Sequence, residues 1–285
     1  MAVTLSRRRF DQVVRDYRPL PFETFASDDP RFREPLHHVL RNRDRLCAAV
    51  VGAGRYLPPG PLTVADLGTY PGSLLRLLRR LLSGRACRLI GVGLMISDHF
   101  RRAMAEDCDA EILTVNLDPG NHHLRDKGYP TRIPLGDGSV DFVFALEVIE
   151  HLVSPSHLLA EAVRILRPGG HILATTPNVA RIGNVFKLVI GRSNFDRLVP
   201  LDYDNPDDEW RPHFREYTLA ELCGLLRQAG FSVAVARHFM GEDTRYLVKT
   251  PRRRLVELAK LPFSIVPHFR ASLFAVGRKP AGGTG

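Results

Sequence analysis

Residues 64–78 read VADLGTYPGSLLRLL, a short apolar run followed by a glycine-containing turn and a leucine repeat. The apolar run has the length and composition of a strand, whereas the leucines recur at helical spacing. Gly68 and Gly72 allow the turn to adopt dihedrals closed to other residues, and they let a ligand approach bare backbone at the helix N-terminus. Asp66, at the end of the strand, would repel phosphate and attract an ammonium or sulfonium group. The stretch therefore predicts a strand, a ligand-binding turn and a helix.

The same alternation of strand and helix patterns continues on both sides of this stretch. An amphipathic helix is predicted for residues 35–51. Capping residues mark the starts of three later helices: Ser97, Ser154 with Pro155, and Thr218 with Glu221. The predicted strands are residues 62–67, 87–94, 111–116, 139–146, 171–175, 231–239 and 272–277. This alternation is typical of a parallel sheet with helices on both faces, and the lack of a full crossover helix between the last two strands predicts antiparallel pairing there.

The composition limits which classes of protein this chain can belong to. The chain has 285 residues, of which 44% are hydrophobic, so it can bury the core of one large domain with additions. Its net charge of +9 suits nucleic acid, anionic lipid or an acidic substrate, but the arginines are spread along the chain rather than grouped. The four cysteines form no C-x-x-C pair, no signal-peptide pattern is present, and no run of about 20 apolar residues occurs. We therefore expect a reduced, cytoplasmic protein.

The predicted elements divide the chain into three parts. Residues 1–60 form an N-terminal arm and a helix that cap the site, and residues 61–239 form the catalytic domain with a substrate-loop insertion at 178–217. Residues 240–285 contain a basic and apolar insertion and a final edge strand. Within that last part, residues 251–269 are a candidate for peripheral membrane contact, and packing against the domain is the alternative.

Four segments resemble the class I S-adenosylmethionine-dependent methyltransferases, in the order and spacing of that family. They are D-x-G-x-x-x-G at residues 66–72, IPLGDGSVDFVFALEVIEHL at 133–152, RILRPGGHILATTPN at 164–178 and HFREYTLAELCGLLRQAGF at 213–231. The resemblance implies a Rossmann-like, seven-stranded, mostly parallel sheet with an antiparallel last strand. It also implies a small-molecule methyltransferase whose cofactor is S-adenosyl-L-methionine.

The resemblance assigns cofactor-binding roles to residues that match the family motifs. These are Asp66, Gly68, Thr69 and Gly72 for the methionine end, Asn116, Leu117 and Asp118 near the adenine, and Leu146 and Glu147 beside the sulfonium. Two positions depart from the pattern. Tyr70 replaces the usual central glycine, and Gly93 occupies the place of the acid that holds the ribose, with Asp98 nearby but inside the next predicted helix. A weakly binding or inactive relative is therefore an alternative.

Methyl transfer demands little of protein side chains, because the sulfonium already activates the methyl group and the protein mainly aligns the reacting atoms. A hydroxyl acceptor would also benefit from a base, and His151 and His213 are the candidates. Glu147 and Glu150 could orient them, although Glu150 and His151 could instead only brace a turn. These carboxylates and His151 have the chemistry of a cation site, but no fourth ligand is evident, so we predict no metal.

The acceptor is predicted to be a small molecule, methylated on oxygen: a sugar, a glycan precursor or a secondary metabolite. The insertion at 178–217, together with the N-terminal helix and residues 251–269, would recognise it. The insertion contains Trp210, His213, Arg215 and Tyr217, although Tyr217 could instead be a core residue and Arg215 a surface ion-pair partner. A nicotinamide-dependent enzyme is the first alternative, but it needs a G-x-G-x-x-G spacing that this chain lacks. A non-catalytic scaffold is the second. A nucleic-acid methyltransferase is the third, and the acidic loop at 194–210 disfavours it because carboxylates repel phosphate.

Overall fold

A computed structural model describes residues 5–24, 37–94, 96–121, 124, 127–194, 213–241, 255, 262–263 and 265–282. Within this part of the chain, seven strands form one sheet. They are β1 (Leu62–Leu67), β2 (Cys87–Gly93), β3 (Ala110–Thr114), β4 (Val140–Leu146), β5 (Leu166–Pro177), β6 (Ser232–Phe239) and β7 (Ser272–Arg278). Their order is β3-β2-β1-β4-β5-β7-β6. Strands β1 to β5 pair in parallel and β7 is antiparallel to β5 and β6, which confirms the predicted fold class.

The position of β7 differs from the prediction. The sequence predicts a final edge strand, but β7 lies between β5 and β6, so β6 forms the edge. Residues 272–277 of β7 are all buried, whereas most residues of β6 are exposed or half-buried. A continuous apolar run is typical of a strand covered on both faces, and alternation is typical of a strand with one wet face. Because β7 completes the sheet, its residues 273–276 belong to the same core as the other strands of the sheet.

Eight α-helices are described. They are α1 (Arg7–Arg15), α2 (His38–Arg41), α3 (Arg43–Ala53), α4 (Ser73–Leu81), α5 (Asp98–Cys108), α6 (Pro155–Ile165), α7 (Ile182–Val189) and α8 (Leu219–Gln228). The single helix predicted for residues 35–51 is broken at Asn42, which ends α2 and precedes α3 and whose side-chain amide donates to the His38 carbonyl at 3.1 Å. The strand predicted for residues 171–175 is longer in the structure, where β5 begins at Leu166 and ends at Pro177.

The predicted helix starts are largely confirmed. The Ser97 hydroxyl accepts from the Phe100 N–H at 3.1 Å, and Thr218 and Glu221 form the expected reciprocal capping box at α8. Helix α6 begins at Pro155 as predicted, but the Ser154 side chain makes no capping bond. Helices cover both faces of the sheet, with α1, α3, α4 and α5 on one and α6 and α8 on the other.

The N-terminal arm is fixed to the sheet domain by a buried ion pair. Arg76 of α4 pairs with Glu23 of the arm, and both side chains are almost fully buried. Its guanidinium also bonds the Tyr17 hydroxyl at 2.8 Å and the Asp107 carboxylate of α5 at 2.7 Å. Ser73, the first residue of α4, donates its hydroxyl proton to Glu23. The arm therefore reaches the first turn of the helix that follows the glycine turn.

Replacing Glu23 by Gln should destabilise the protein, because Arg76 would lose its fully buried carboxylate partner and keep only the partly exposed Asp107 carboxylate. The expected loss is about 1.5–3 kcal/mol of unfolding free energy, measured by urea denaturation. The matched control is Glu111→Gln, which removes an exposed pair with Arg88 (2.6 Å; side chains 53% and 45% exposed). That change should cost less than about 1 kcal/mol. Equal losses in the two variants would contradict the role assigned to Glu23.

Candidate active site

Two adjoining cavities lie at the carboxyl ends of β1, β2, β3 and β4, where open sheets of this kind bind ligands. The larger, which we name the main cleft, has a volume of about 520 Å³. The smaller, which we name the inner pocket, has a volume of about 140 Å³. Predicted cofactor residues in the main cleft are Gly68, Gly93, Asn116, Leu117, Asp118 and Glu147. Those in the inner pocket are Asp66, Gly68, Thr69, Leu146 and Glu147.

Among the predicted cofactor residues, Gly72 lies outside both cavities. Gly68 and Gly72 have nearly the same left-handed backbone, with φ of 86° and 85°. A Cβ atom added to Gly68 would lie 2.9 Å from the side chain of Val148, which lines the main cleft. A Cβ atom on Gly72 would instead lie 2.5 Å from the Met104 sulfur, in the hydrophobic core. Gly68 therefore shapes the ligand surface, and Gly72 permits the close packing of α4 on α5.

Asp66 is a buried carboxyl group at the inner pocket, with only 4% of its surface exposed. Burial raises its pKa to about 7, because a desolvated carboxylate is costly. A cation bound in the pocket would favour the ionised form. The structure thus places a carboxyl group at the inner pocket, as expected from the sequence, but this group is fully ionised only well above pH 7 or beside a bound cation.

The helices before β1 contribute site residues that the sequence interpretation missed. His38, Asn42 and Arg45 line the inner pocket, at the spacing that places them on one helical face. That polar stripe was the signal available in the sequence. The Arg45 guanidinium lies 3.0 Å from Glu147 Oε2, and Glu147 has a left-handed backbone with φ of 52°. Burial, together with the neighbouring Arg45 charge, lowers the pKa of His38 to about 3, so this imidazole is neutral.

The two departures from the family pattern have clear structural positions. Tyr70 is 42% exposed, and its ring packs against that of Phe100 with the two centroids 5.3 Å apart. Gly93 ends β2 on the wall of the main cleft, and Asp98 is exposed in the first turn of α5. Among the described residues lining the main cleft, no carboxylate follows β2.

Asp118 lies on the cleft wall, but its carboxylate is already engaged. Its two oxygens accept the N–H groups of Val153 and Ser154, each at 2.9 Å. Its own N–H donates to Asn116 Oδ1 at 2.9 Å. The bonds from Val153 and Ser154 hold the segment before α6 against the loop after β3. Asn116 and Asp118 therefore shape the wall where the adenine is predicted to lie.

The candidate bases lie between the main cleft and a further cavity. His151 lines the main cleft, and its ring centroid is 4.8 Å from that of His213 in a T-shaped contact. His213 lines the further cavity, which has a volume of about 490 Å³ and which we name the histidine pocket; Val179, Phe214 and Glu216 also line it. His213 Nδ1 lies 3.2 Å from Glu216 Oε1.

Two carboxylates hold this region in place. Glu216 accepts hydrogen bonds from Arg181 and Asn184, each at 2.7 Å. Burial opposes its ionisation, but the bonds from His213 and Arg181 outweigh burial and lower the pKa of Glu216. Glu150 is 1% exposed, and its Oε2 accepts from the Thr176 hydroxyl at 2.9 Å. Burial and the nearby Glu147 charge raise the pKa of Glu150.

Of the other residues predicted to recognise the acceptor, Arg215 also lines the histidine pocket. Tyr217 is buried in the core, and Arg215 forms an exposed ion pair with Glu221 at 2.5 Å. Trp210 and residues 195–212 lie outside the described residues, as does most of the 251–269 stretch predicted to contact a membrane. No helix in the described part of the chain combines the length and the apolar character that crossing a membrane requires.

Asp66→Asn should stabilise the unliganded protein at neutral and alkaline pH. The folded-state pKa of about 7 exceeds the ordinary value of 3.8, so the wild type loses stability as pH rises from about 4 to 7. At about 1.4 kcal/mol per pKa unit, the variant should gain up to about 4 kcal/mol at pH 8 and nothing below pH 4. Urea denaturation across this pH range measures the difference. A pH-independent difference would show that Asp66 is not desolvated.

Comparison with known proteins agrees with this architecture. The methyltransferase domain family matches residues 37–235. A probable S-adenosylmethionine-dependent methyltransferase of Mycolicibacterium smegmatis is 37% identical over 142 residues, which cover 49% of this chain and 47% of that protein. A protein of the same description from Mycobacterium tuberculosis is 35% identical over 116 residues, covering 40% of this chain and 35% of that one. The chain thus spans less than half the length of these two relatives.

Solved structures share the fold. A chain from the Haloferax volcanii complex between the Trm112 methyltransferase activator and a methyltransferase gives a TM-score of 0.53 at 23% identity, covering 85% of this chain and 93% of that chain. The [4+2]-cyclase SpnF gives 0.51 at 17% identity, covering 98% and 94%. At these identities the likeness concerns the fold alone. The family match extends over most of the chain, and the protein therefore belongs to the class I S-adenosylmethionine-dependent methyltransferases.

Proposed function

We propose that this protein transfers the methyl group of S-adenosylmethionine to an oxygen of a small-molecule acceptor, such as a sugar, a glycan precursor or a secondary metabolite. The observation that carries the proposal is the position of His151. It lines the main cleft, and it contacts His213 of the neighbouring histidine pocket. A base thus stands at the junction of a cofactor-sized cleft and a second cavity that an acceptor could enter.

The cofactor fits the two cavities by charge and shape. The methionine end would occupy the inner pocket, with its ammonium group near Asp66 and its carboxylate near Arg45. The adenosine would lie in the main cleft against Gly93, Asn116 and Leu117. Gly68 and Glu147 line both cavities, so the sulfonium joining the two halves of the cofactor would lie beside them. Backbone groups and Asn116, rather than an acid after β2, would then contact the ribose.

The reaction is a direct displacement. The acceptor oxygen forms a bond to the methyl carbon, the carbon–sulfur bond breaks, S-adenosylhomocysteine is released and the hydroxyl proton is lost. His151 and His213 promote loss of that proton, and Glu216 holds His213 in place. An oxygen acceptor suits this arrangement, because a hydroxyl must lose its proton whereas a neutral amine can attack directly.

Relatives point to small acceptors of both kinds. A ubiquinone biosynthesis O-methyltransferase of Xanthomonas euvesicatoria is 28% identical over 131 residues, and a dimethylglycine N-methyltransferase of Parasynechococcus marenigrum is 30% identical over 152 residues. Nucleic acid is less suitable as the acceptor, since the acidic loop at residues 194–210 would repel phosphate.

Gly68→Ala and Gly72→Ala form a matched pair that tests the location of the cofactor. Both changes place a side chain on a left-handed backbone and should lower stability by roughly 1–3 kcal/mol. Only the Gly68 variant should also lose affinity for S-adenosylhomocysteine, because its methyl group would displace Val148 into the main cleft. Calorimetry below the melting temperature measures the affinity. Loss of affinity in the Gly72 variant alone would place the cofactor elsewhere.

His151→Ala and His213→Ala test the methyl transfer itself. In each variant the affinity for S-adenosylmethionine should persist. Incorporation of labelled methyl into a fractionated small-molecule extract should fall by about 10²–10⁴-fold for at least one of them. The control is His157→Ala, because that ring contacts the Thr131 carbonyl at 2.8 Å and lies outside the cavities described above. Unchanged transfer in both variants would remove the histidines from the mechanism, and absence of cofactor binding in the wild type would identify an inactive relative.

A further inference from the structure

The turn after β4 and the segment before α8 bring three potential metal ligands together. One donor atom each of Glu150, His151 and His213 lies within 4.8 Å of the others. We propose that these three residues bind a divalent transition-metal ion and that the ion takes the acceptor hydroxyl as a further ligand. The second part rests on the proposed methyl transfer, whereas the first part does not.

The strongest observation is the unused carboxylate oxygen of Glu150. Its Oε2 accepts from Thr176, but no hydrogen-bond partner reaches its Oε1 within the described part of the chain. The residue is 1% exposed, so water compensates little for the missing partner. A buried carboxylate without full compensation is costly, and a bound cation removes that cost. Glu150 therefore presents the kind of oxygen that a metal ion requires.

The second observation is the way His213 is held. Its Nδ1 contacts Glu216, which leaves Nε2 as the nitrogen that can bind an ion. Histidine ligands of metals commonly donate their other ring N–H to a carboxylate, which fixes the ring and strengthens the ligand. Glu216 is itself fixed by Arg181 and Asn184. The chain thus already contains the outer support that a metal-binding histidine requires.

The backbone also joins the two segments that carry the ligands. The Glu150 carbonyl accepts the N–H groups of Phe214 and Arg215, at 2.8 and 3.3 Å. These bonds hold the turn containing Glu150 and His151 against the residue after His213. Metal–ligand bonds of about 2.0–2.2 Å place ligand atoms roughly 3–3.5 Å apart, so a modest movement of the half-buried His213 ring would close the set.

The ligand types indicate which ions would bind and what they would do. Two imidazoles and one carboxylate suit Zn²⁺ and its first-row neighbours, and three protein ligands leave a coordination position open. With the ion bound, His151 and His213 would serve as its ligands and no longer as bases. An acceptor hydroxyl bound to the ion would lose its proton to solvent more readily, because the ion stabilises the alkoxide. The alkoxide oxygen would then take the methyl group, and S-adenosylhomocysteine would leave. The sequence predicts no metal because no fourth ligand is evident beside Glu147, Glu150 and His151. His213, which folding brings to Glu150 and His151, is far from them along the chain.

The chain offers a matched control. His238 and His268 form a similar T-shaped pair, with ring centroids 5.1 Å apart, against 4.8 Å for His151 and His213. The described residues lining the cavity beside the control pair include no carboxylate. If Glu150 makes the difference, an ion should bind at one histidine pair and not at the other.

The test uses the full chain without a polyhistidine tag, stripped with EDTA and dialysed. Zn²⁺ binding is measured by competition with a chromogenic chelator, and Co²⁺ binding by its visible absorption. We expect one ion per wild-type chain, and at least a tenfold weaker affinity in Glu150→Gln and His213→Ala. Glu216→Gln should weaken binding by roughly 10–100-fold. The His238→Ala and His268→Ala variants should match the wild type.

His213 is partly exposed, so its variant keeps the test valid even if Glu150→Gln folds poorly. A wild type that binds no ion, or control variants that lose binding, would overturn the proposal. Methyl transfer that persists unchanged after EDTA treatment would overturn the role given to the ion while leaving the proposed function intact. If no fraction of the extract is methylated but Zn²⁺ binds at Glu150 and His213, the metal site stands and the proposed function fails.

Discussion

The position of the site depends on the contacts made by the buried guanidinium of Arg76. It joins Glu23 of the N-terminal arm, Asp107 of α5 and the helix that carries it. These contacts affect the site because α4, which carries Arg76, starts directly after the glycine turn that follows β1. Ser73, the first residue of α4, donates its hydroxyl proton to the same Glu23 carboxylate. A buried charge is tolerated only when its partners are fixed, so this network holds the arm, α4 and α5 in one arrangement. The glycine turn after β1 is thereby held from outside the sheet.

The site itself concentrates negative charge in places that water hardly reaches. Asp66 and Glu150 are almost fully buried, and Glu147 keeps one oxygen without a hydrogen-bond partner among the described residues. Arg45 balances part of this charge. Burial disfavours the ionised form of Asp66 and Glu150, so each would ionise more readily beside a cation. The same carboxyl groups that lower the stability of the free protein would therefore favour the cationic ligands that we propose.

The sequence predicted the elements that local patterns encode. Strand β1, the glycine turn, the Ser97 cap and the Thr218 capping box depend on neighbours within a few residues, and all are present. The different roles of Gly68 and Gly72 could not be predicted, because they depend on Val148 and Met104, which meet them only after folding. The same holds for the pairing of His213 with His151 and for the Arg45 contact with Glu147. Tertiary contacts, not local preference, decide those features.

The interior position of β7 affects how the chain folds during synthesis. Strand β6 pairs only with β7 within the described sheet, and one edge of β5 is likewise covered only by β7. During synthesis β5 and β6 emerge first, and neither can complete its hydrogen bonds until residues 272–278 follow. An open strand edge is a template for pairing with other chains. The nascent chain thus passes through a stage in which the unpaired edges of β5 and β6 are open to pairing with other chains. That stage ends when β7 pairs with both strands.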